Sequence, residues 1–378
     1  MMRKLVILGS TLTGLAIARD AHAHGLEAVV LDTDRGGIAF TSRKVRPVLL
    51  PQLDEASLAA AIVAQGGQGA GLIATGDHWL ARVRQNWETL RNAYERVFHP
   101  DPDAIAICLS KARFAEWCRA CDLPAPRAWL VDEQPRPADL RTPLLLRPVE
   151  TLHGRPNAGL PKAVQAQPEA EFEHWRLEFR NKGCRLLATE SLLGQRLTQY
   201  SVPFARAGGK FVSFVARKIR PLPERLAVGT CVELAPEENV EAIGRRAAEQ
   251  LDYYGIGEAE ILHAHDTGRN YLIEINARPW LQYPLAPASG HDFLGLLLDP
   301  ATVRTEGMRK QGYTWVDFSA DLYTSFARDH GVVRTGGQSV AAYLKSLLRA
   351  NVFARFDIRD PAPALQNIRP AWLRGSHP

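Results

Sequence analysis

Over the first hundred residues, short apolar runs alternate with helical stripes. Lys4-Leu-Val-Ile-Leu8 reads as a buried strand, Gly9 to Gly14 as a turn, the stretch to Gly25 as a helix, and Ala28-Val-Val-Leu31 as a second strand. This is a βαβ opening. Leu72-Ile-Ala-Thr75 reads as a further strand, and Val83, Trp87, Leu90 and Tyr94 recur as the buried stripe of one helix after it. Together they predict a small doubly wound sheet. The pattern breaks at two prolines between Phe98 and Pro102, and a new helix runs from a capping Ser110 to Cys121.

Pro124 and Pro126 end that helix, and short strands follow at Ala128 to Val131 and Leu144 to Arg147. An α+β unit is expected to about residue 192. Strand patterns then recur at Phe211 to Val215, Cys231 to Leu234, Ala259 to His263 and Tyr271 to Ile275. Between the second and third lies an amphipathic helix with Val240, Ile243, Ala247, Leu251 and Tyr254 on one face. From Thr305 the chain reads as helical and basic, with Leu344, Leu347, Leu348 and Val352 as its packed face. The expected divisions are 1–103, 104–192, 193–304 and 305–378.

At 378 residues, two or three domains with a sizeable core are expected. The net charge of +5 is not concentrated in any basic block, which favours anionic small molecules over nucleic acid. The apolar run before Gly9 is too short for a signal core or a membrane span, so a cytoplasmic location is expected. Five cysteines form no disulfide framework, and Cys118-Arg-Ala-Cys121 lacks the second pair that a zinc or redox site would need. His263, His265 and His291 likewise lack an evident third ligand for zinc.

The densest candidate chemistry lies in Gly257 to Arg278, where two strand patterns meet at the turn Asp266-Thr-Gly268. Residues two apart on a strand share a face, so Glu274, Asn276 and Arg278 project together, with Glu260 beside them on the neighbouring strand. Two carboxylates and an amide oxygen match the hard-oxygen preference of Mg²⁺, and the arginine can bind phosphate or carboxylate. An exposed hairpin with solvated charges is the plain alternative.

Ile273-Glu-Ile-Asn-Ala-Arg278 resembles the "IEINPR" run of the ATP-grasp superfamily, with alanine for proline, and the likeness is closest to the carboxylate-amine ligase branch that includes D-aspartate ligases. The resemblance covers most of residues 1 to 300. It implies a chain of mixed α/β and α+β class with an N-terminal Rossmann-like domain, a small lid subdomain and a C-terminal antiparallel-sheet subdomain that holds Mg-ATP. Glu260, Glu274 and Asn276 would then bind Mg²⁺, with Mn²⁺ as a substitute. Leu109-Ser-Lys111 resembles the "DK..F" helix, and Pro143 to Pro148 resembles "PVIVKP" with Arg147 replacing the usual lysine, which makes both cations phosphate contacts. Glu150 to Lys162 takes the place of the phosphate-covering loop, and Lys162 would contact the nucleotide.

Leu186 to Gly194 resembles the hinge "VLVQEYIPG", which implies that Thr189, Glu190, Ser191 and Leu192 bind adenine. Gln195 and Arg196 stand where relatives place an acid for the ribose. Val215 to Pro223 and Gly229 to Glu233 resemble "RKIRQYP...GTGT..E", which puts Arg217, Lys218 and Arg220 near phosphates or the acceptor carboxylate. Arg278, Lys218 and Arg220 are thus the expected catalytic cations. The implied reaction activates a carboxylate as its acyl phosphate with ATP, and an amine then displaces the phosphate. Small-molecule carboxylate and amine substrates are the implied partners, with neither nucleic acid nor membrane, and a homodimer is compatible.

Two rivals stand beside this. Gly9 and Gly14 after a strand, with Asp32 ending the next, fit an NAD(P)-dependent oxidoreductase, although the glycine pattern is incomplete. Arg147 and the missing ribose acid fit a binding protein that keeps the fold without turnover.

Overall fold

The computed structural model describes residues 2–50, 54–138, 140–149, 160–161, 163–221, 229–303, 311–327, 331–334 and 337–366. Three sheets organise these residues. The first is parallel, with β1 (Lys4–Leu8), β2 (Glu27–Asp32), β3 (Val45–Leu49), β4 (Gly67–Ala74) and β5 (Tyr94–Val97) in the order β3-β2-β1-β4-β5. Both of its faces are covered. Val6 and Leu8 pack into one core cluster while Leu5 and Ile7 pack into another, which is why β1 is an unbroken apolar run. The strand order reverses between β1 and β4, so the loops after these strands form the crevice where such sheets place ligands.

Gly9 (φ +114°) and Gly14 serve close packing here. A Cβ on Gly14 would lie 2.0 Å from the Gly9 carbonyl oxygen, and one on Gly9 would lie 2.6 Å from Thr75 Oγ1. Asp32 is committed as well. Its carboxylate accepts from the backbone N–H groups of Ser10 (2.5 Å), Thr33 (2.7 Å) and Asp34 (3.1 Å). A carboxylate so occupied braces its own turn and has little left for a ribose, which removes the main support for the oxidoreductase.

The expected single helix after β4 is two. Asn86 donates from both its backbone N–H and its side chain to the Arg82 carbonyl, closing the helix Asp77–Gln85 before Trp87–Ala93, and Tyr94 opens β5. The two prolines near residue 100 also do more than break a pattern. Asp101 accepts from the N–H groups of Asp103 and Ala104, and Pro102 takes the first position of the helix Pro102–Leu109. The helix Lys111–Ala120 follows directly, capped by Ser110 as expected.

The second sheet holds β6 (Ala128–Leu130), β7 (Leu144–Pro148), β8 (Val164–Ala166) and β9 (Leu186–Glu190), antiparallel in the order β6-β9-β7-β8. The third has eight strands: β10 (Leu197–Ala207), β11 (Lys210–Ser213), β12 (Ala216–Pro221), β13 (Gly229–Leu234), β14 (Gly255–Ala264), β15 (Arg269–Asn276), β16 (Thr314–Val316) and β17 (Val352–Phe353). Its order is β15-β14-β10-β12-β13-β16-β17, with β11 on β10. The segment from residue 305 is therefore not purely helical. It adds two strands to this sheet, and of its expected apolar face Leu344 (54% exposed) and Leu348 (87%) point to solvent, whereas Leu347 is half-buried and Val352 is buried. Asp360 further ties this segment to residues flanking the first sheet, accepting from Ser42 Oγ (2.7 Å), Arg19 Nε (3.0 Å) and the Arg43 N–H (3.2 Å). Among the described residues, no helix is long and apolar enough to cross a membrane.

Candidate active site

Four neighbouring strands of the third sheet bring the polar groups of the site onto one face. Across the β14–β15 ladder, Glu260 pairs with Glu274 and Glu258 pairs with Asn276. Directly paired residues share a face, so three carboxylates and an amide meet there. From β10, Gln199 Nε2 donates to Glu260 (2.8 Å) and the Ser201 hydroxyl donates to Glu258, while from β12 Lys218 Nζ reaches Glu260 at 3.1 Å. Lys218 is almost wholly buried there, its side chain only 4% exposed.

This face forms the floor of a cleft of about 460 Å³ whose roof comes from the second sheet and the helix Lys111–Ala120. Its charged and polar lining includes Asp77, Lys111, Arg147, Glu260, Glu274 and Asn276. Much of the remaining lining is apolar, with Leu145, Ala163, Leu187, Leu192, Leu272 and Ile273 among the walls. Lys111 enters because it opens the helix capped by Ser110, and Arg147 because strand alternation on β7 points it opposite to the buried Leu144 and Leu146.

The acids of the cleft differ in how they are satisfied. Glu260 has three donors, Gln199, Lys218 and the Asn276 Nδ2 at 3.4 Å. Asp77 is ion-paired with Arg278 Nε at 2.5 Å. Glu274 faces the water of the cleft yet is enclosed by its walls, and that enclosure, with Glu260 and Asp77 nearby, pushes its pKa up to about 7 against the opposing pull of Lys111 and Arg278. Burial, and then Glu260, also raise the pKa of Glu258. The cations show the mirror image: burial and the nearby Arg147 lower the pKa of Lys111, and burial works against charge on Arg147, with Glu274 opposing it. Arg147 Nε is buried without a hydrogen-bond partner among the described residues. A buried donor of that kind awaits an acceptor.

The donors fit a hard divalent cation. Glu274 and Glu260 offer carboxylate oxygens, and Asn276 turns its Nδ2 toward Glu258 and Glu260, which leaves its Oδ1 beside Arg278 Nη2 (3.3 Å). Among the described residues, no three His, Cys, Asp or Glu side chains are placed to hold a metal by themselves. Mg²⁺ takes one or two carboxylates and completes its shell with water and phosphate oxygens.

Most of the expected site residues therefore converge: Lys111, Arg147, Thr189, Glu190, Leu192, Glu260, Glu274 and Asn276 all line the cleft. Ser191 adjoins it through its hydroxyl, which accepts from the wall residue Gln165 at 3.1 Å. The Glu190 side chain is engaged with Arg127, so only the rest of that residue is open to a base. Lys218 and Arg278 reach the acids as described, and Lys162 lies outside the described residues.

Arg220 is a correction. An irregularity in the β12–β13 register between Lys218 and Arg220 turns Arg220 away from the cleft and into a buried bidentate pair with Asp321 (2.7 and 2.9 Å), beside the Tyr343 ring. Arg217 is likewise engaged elsewhere, with Glu233. At the ribose position, Arg196 pairs with Asp266 on the surface. The three histidines are in local hydrogen bonds, His263 with Asn270, His265 with Thr198 and His291 with Ser289.

Asp77, Gln199 and Glu258 were not singled out from the sequence. Asp77 follows the C-terminal end of β4, a place that the doubly wound pattern marks, and Glu258 is two residues before Glu260 on one strand face. Gln199 carries no such signal, because β10 has Pro203 in its interior and a polar inner face.

A scan against protein-family models finds no match, and a search of curated proteins finds none either. Solved structures do match. N5-carboxyaminoimidazole synthetase from Staphylococcus aureus complexed with ADP superposes with a TM-score of 0.60 at 13% identity, over 79% of this chain and 78% of that one. L-amino acid ligase from Bacillus licheniformis gives 0.60 at 16% identity over 82% and 78%, respectively. The biotin carboxylase domain of Hydrogenobacter thermophilus 2-oxoglutarate carboxylase, complexed with MgADP and bicarbonate, gives 0.61 at 16% identity over 82% and 72%. These similarities, together with the three sheets and the cleft between two of them, show that the chain has the ATP-grasp fold.

Proposed function

We propose that this chain is a Mg-ATP-dependent ligase that activates a substrate carboxylate as an acyl phosphate and joins it to an amine, releasing ADP and phosphate. The observation that carries this reading is one cleft whose lining combines apolar walls with two carboxylates, an amide oxygen and the cations Lys111 and Arg147. A nucleoside triphosphate combines the same two kinds of surface, a flat base and charged phosphates. The named ligands of the similar structures, ADP and MgADP, agree with it.

In this reading the chain's residues act by position and charge. Lys111 and Arg147 bind phosphate oxygens, with Arg147 Nε gaining its missing acceptor. Glu274, Glu260 and Asn276 Oδ1 would hold Mg²⁺, which neutralises phosphate charge. Lys218 and Arg278, now paired with Glu260 and Asp77, would supply the cations for a transferring phosphoryl group and an acceptor carboxylate. Thr189 to Leu192 would seat the base.

The test is ADP and phosphate release from Mg-ATP with pooled carboxylates and amines. Release that requires both pools supports the ligase. Tight ADP binding with no turnover under any pool favours a binding protein, the reading suggested by Arg147 and the missing ribose acid, and absence of ADP binding overturns both.

A further inference from the structure

Glu258 is 4% exposed, lies among the metal-type groups, and is not itself among the residues lining the cleft. Its two oxygens are separately engaged. Oε1 accepts from the Ser201 hydroxyl, and Oε2 accepts from Asn276 Nδ2 at 2.9 Å. Asn276 is the residue directly opposite Glu258 in the β14–β15 ladder, so the contact is built into the register.

The consequence falls on the Asn276 amide. A side-chain amide has a donor end and an acceptor end of nearly equal shape, and only the oxygen can ligate a cation. With Glu258 gone, the remaining acceptor for Nδ2 is Glu260 Oε1 at 3.4 Å, a longer contact to a carboxylate that a metal would also claim. Glu258 gives the nitrogen end a dedicated buried acceptor, and Ser201 holds that acceptor in place. The oxygen end is thereby left facing Arg278 and the cleft.

The geometry points to Glu258 as a positioning residue that fixes the orientation of the Asn276 amide, so that its Oδ1 and not its Nδ2 is presented to the divalent cation. This rests on the Mg-ATP reading of the cleft. It assigns to a buried carboxylate a role in metal binding without direct ligation, as outer partners of ligating side chains commonly have.

Mn²⁺ affinity in the presence of ADP, read by electron paramagnetic resonance, tests it. Glu258→Met keeps the volume and removes the acceptor, and it should weaken Mn²⁺ binding about tenfold. Glu258→Gln should retain wild-type affinity, since its Oε1 still accepts from Asn276 and its Nε2 can donate to Ser201. Asn276→Ala should match Glu258→Met, and the double variant should lose no more than either one. Additive losses, wild-type affinity in Glu258→Met, or a Gln variant as weak as the Met variant would each overturn the positioning role. Should Glu258→Met fail to fold, Ser201→Ala, which releases one side of Glu258, must show a smaller loss in the same direction, and unchanged affinity overturns the proposal. If the unmodified chain itself binds no Mn²⁺ with ADP, the Mg-ATP reading fails and this proposal fails with it.

Discussion

Lys218 and Arg220 are two positions apart on β12 and meet opposite fates. Lys218 reaches an acid on the floor of the cleft and shares Glu260 with Gln199 and Asn276, next to Glu274, whose pKa its enclosure pushes up to about 7. Arg220 enters a closed dock, where Asp321 takes its fork, Ser346 accepts at 2.7 Å and Thr230 donates to the same carboxylate at 2.9 Å. The dock is satisfied. Charges in the cleft crowd one another, with like-charged acids together and a guanidinium nitrogen without a partner among the described residues. Perturbed groups in a cleft mark function, whereas a completed buried pair marks attachment, here of the segment from residue 311 to the main sheet.

The sharpest way to break that contrast is Arg220→Ala. It strands Asp321 in the interior and should cost about 3–5 kcal/mol in denaturant unfolding, while the folded fraction keeps its ADP affinity. Lost ADP affinity with unchanged stability would return Arg220 to the catalytic group. Glu274→Gln should do the reverse, lowering ATP turnover by about a hundredfold to a thousandfold with no loss of thermal stability. Near-normal turnover would sink the metal assignment.

His99 sharpens the comparison from the interior. It is buried and neutral, bonded to the Ala74 N–H (2.7 Å) and the Ala277 carbonyl (3.1 Å), and burial lowers its pKa to about 4. The unfolded chain takes up a proton below the ordinary histidine value of 6.5 and the folded chain does not. Stability should therefore fall as pH drops from about 6.5 to 4, by up to about 3 kcal/mol, and His99→Gln should remove much of that slope in urea titrations. The smallest effect concerns the site itself. With the Glu274 pKa at about 7, a cation must displace a proton below that pH. Mn²⁺ affinity with ADP should weaken up to about tenfold per pH unit below 7, and Glu274→Gln should flatten the profile.

Legibility in the sequence followed the range of the interactions. The hairpin of β14 and β15 was readable because the facing of its polar side chains is set by strand alternation and one short turn, both local. The helix that Lys111 opens was readable through the capping Ser110, while the candidate role of Lys111 came from the resemblance alone. The helix Pro102–Leu109 was missed even though its signals, an aspartate cap and a proline at the first turn, are equally local. β10 was missed because its inner face is polar for the site's sake, with Gln199 and Ser201 where a core strand would carry apolar residues.

By itself the sequence determined the parallel sheet and the polar face of the β14–β15 hairpin, consequences of periodicity and residue chemistry over a few positions, whereas Lys111 and Arg147 were reached only through the resemblance to the ATP-grasp superfamily. Only the tertiary structure decided that Arg220 docks instead of entering the cleft, that Asp32 braces a turn, and that Glu258 is committed to Asn276. Those outcomes depend on a register irregularity and on partners up to a hundred residues away, such as Asp321 for Arg220, which no local pattern encodes.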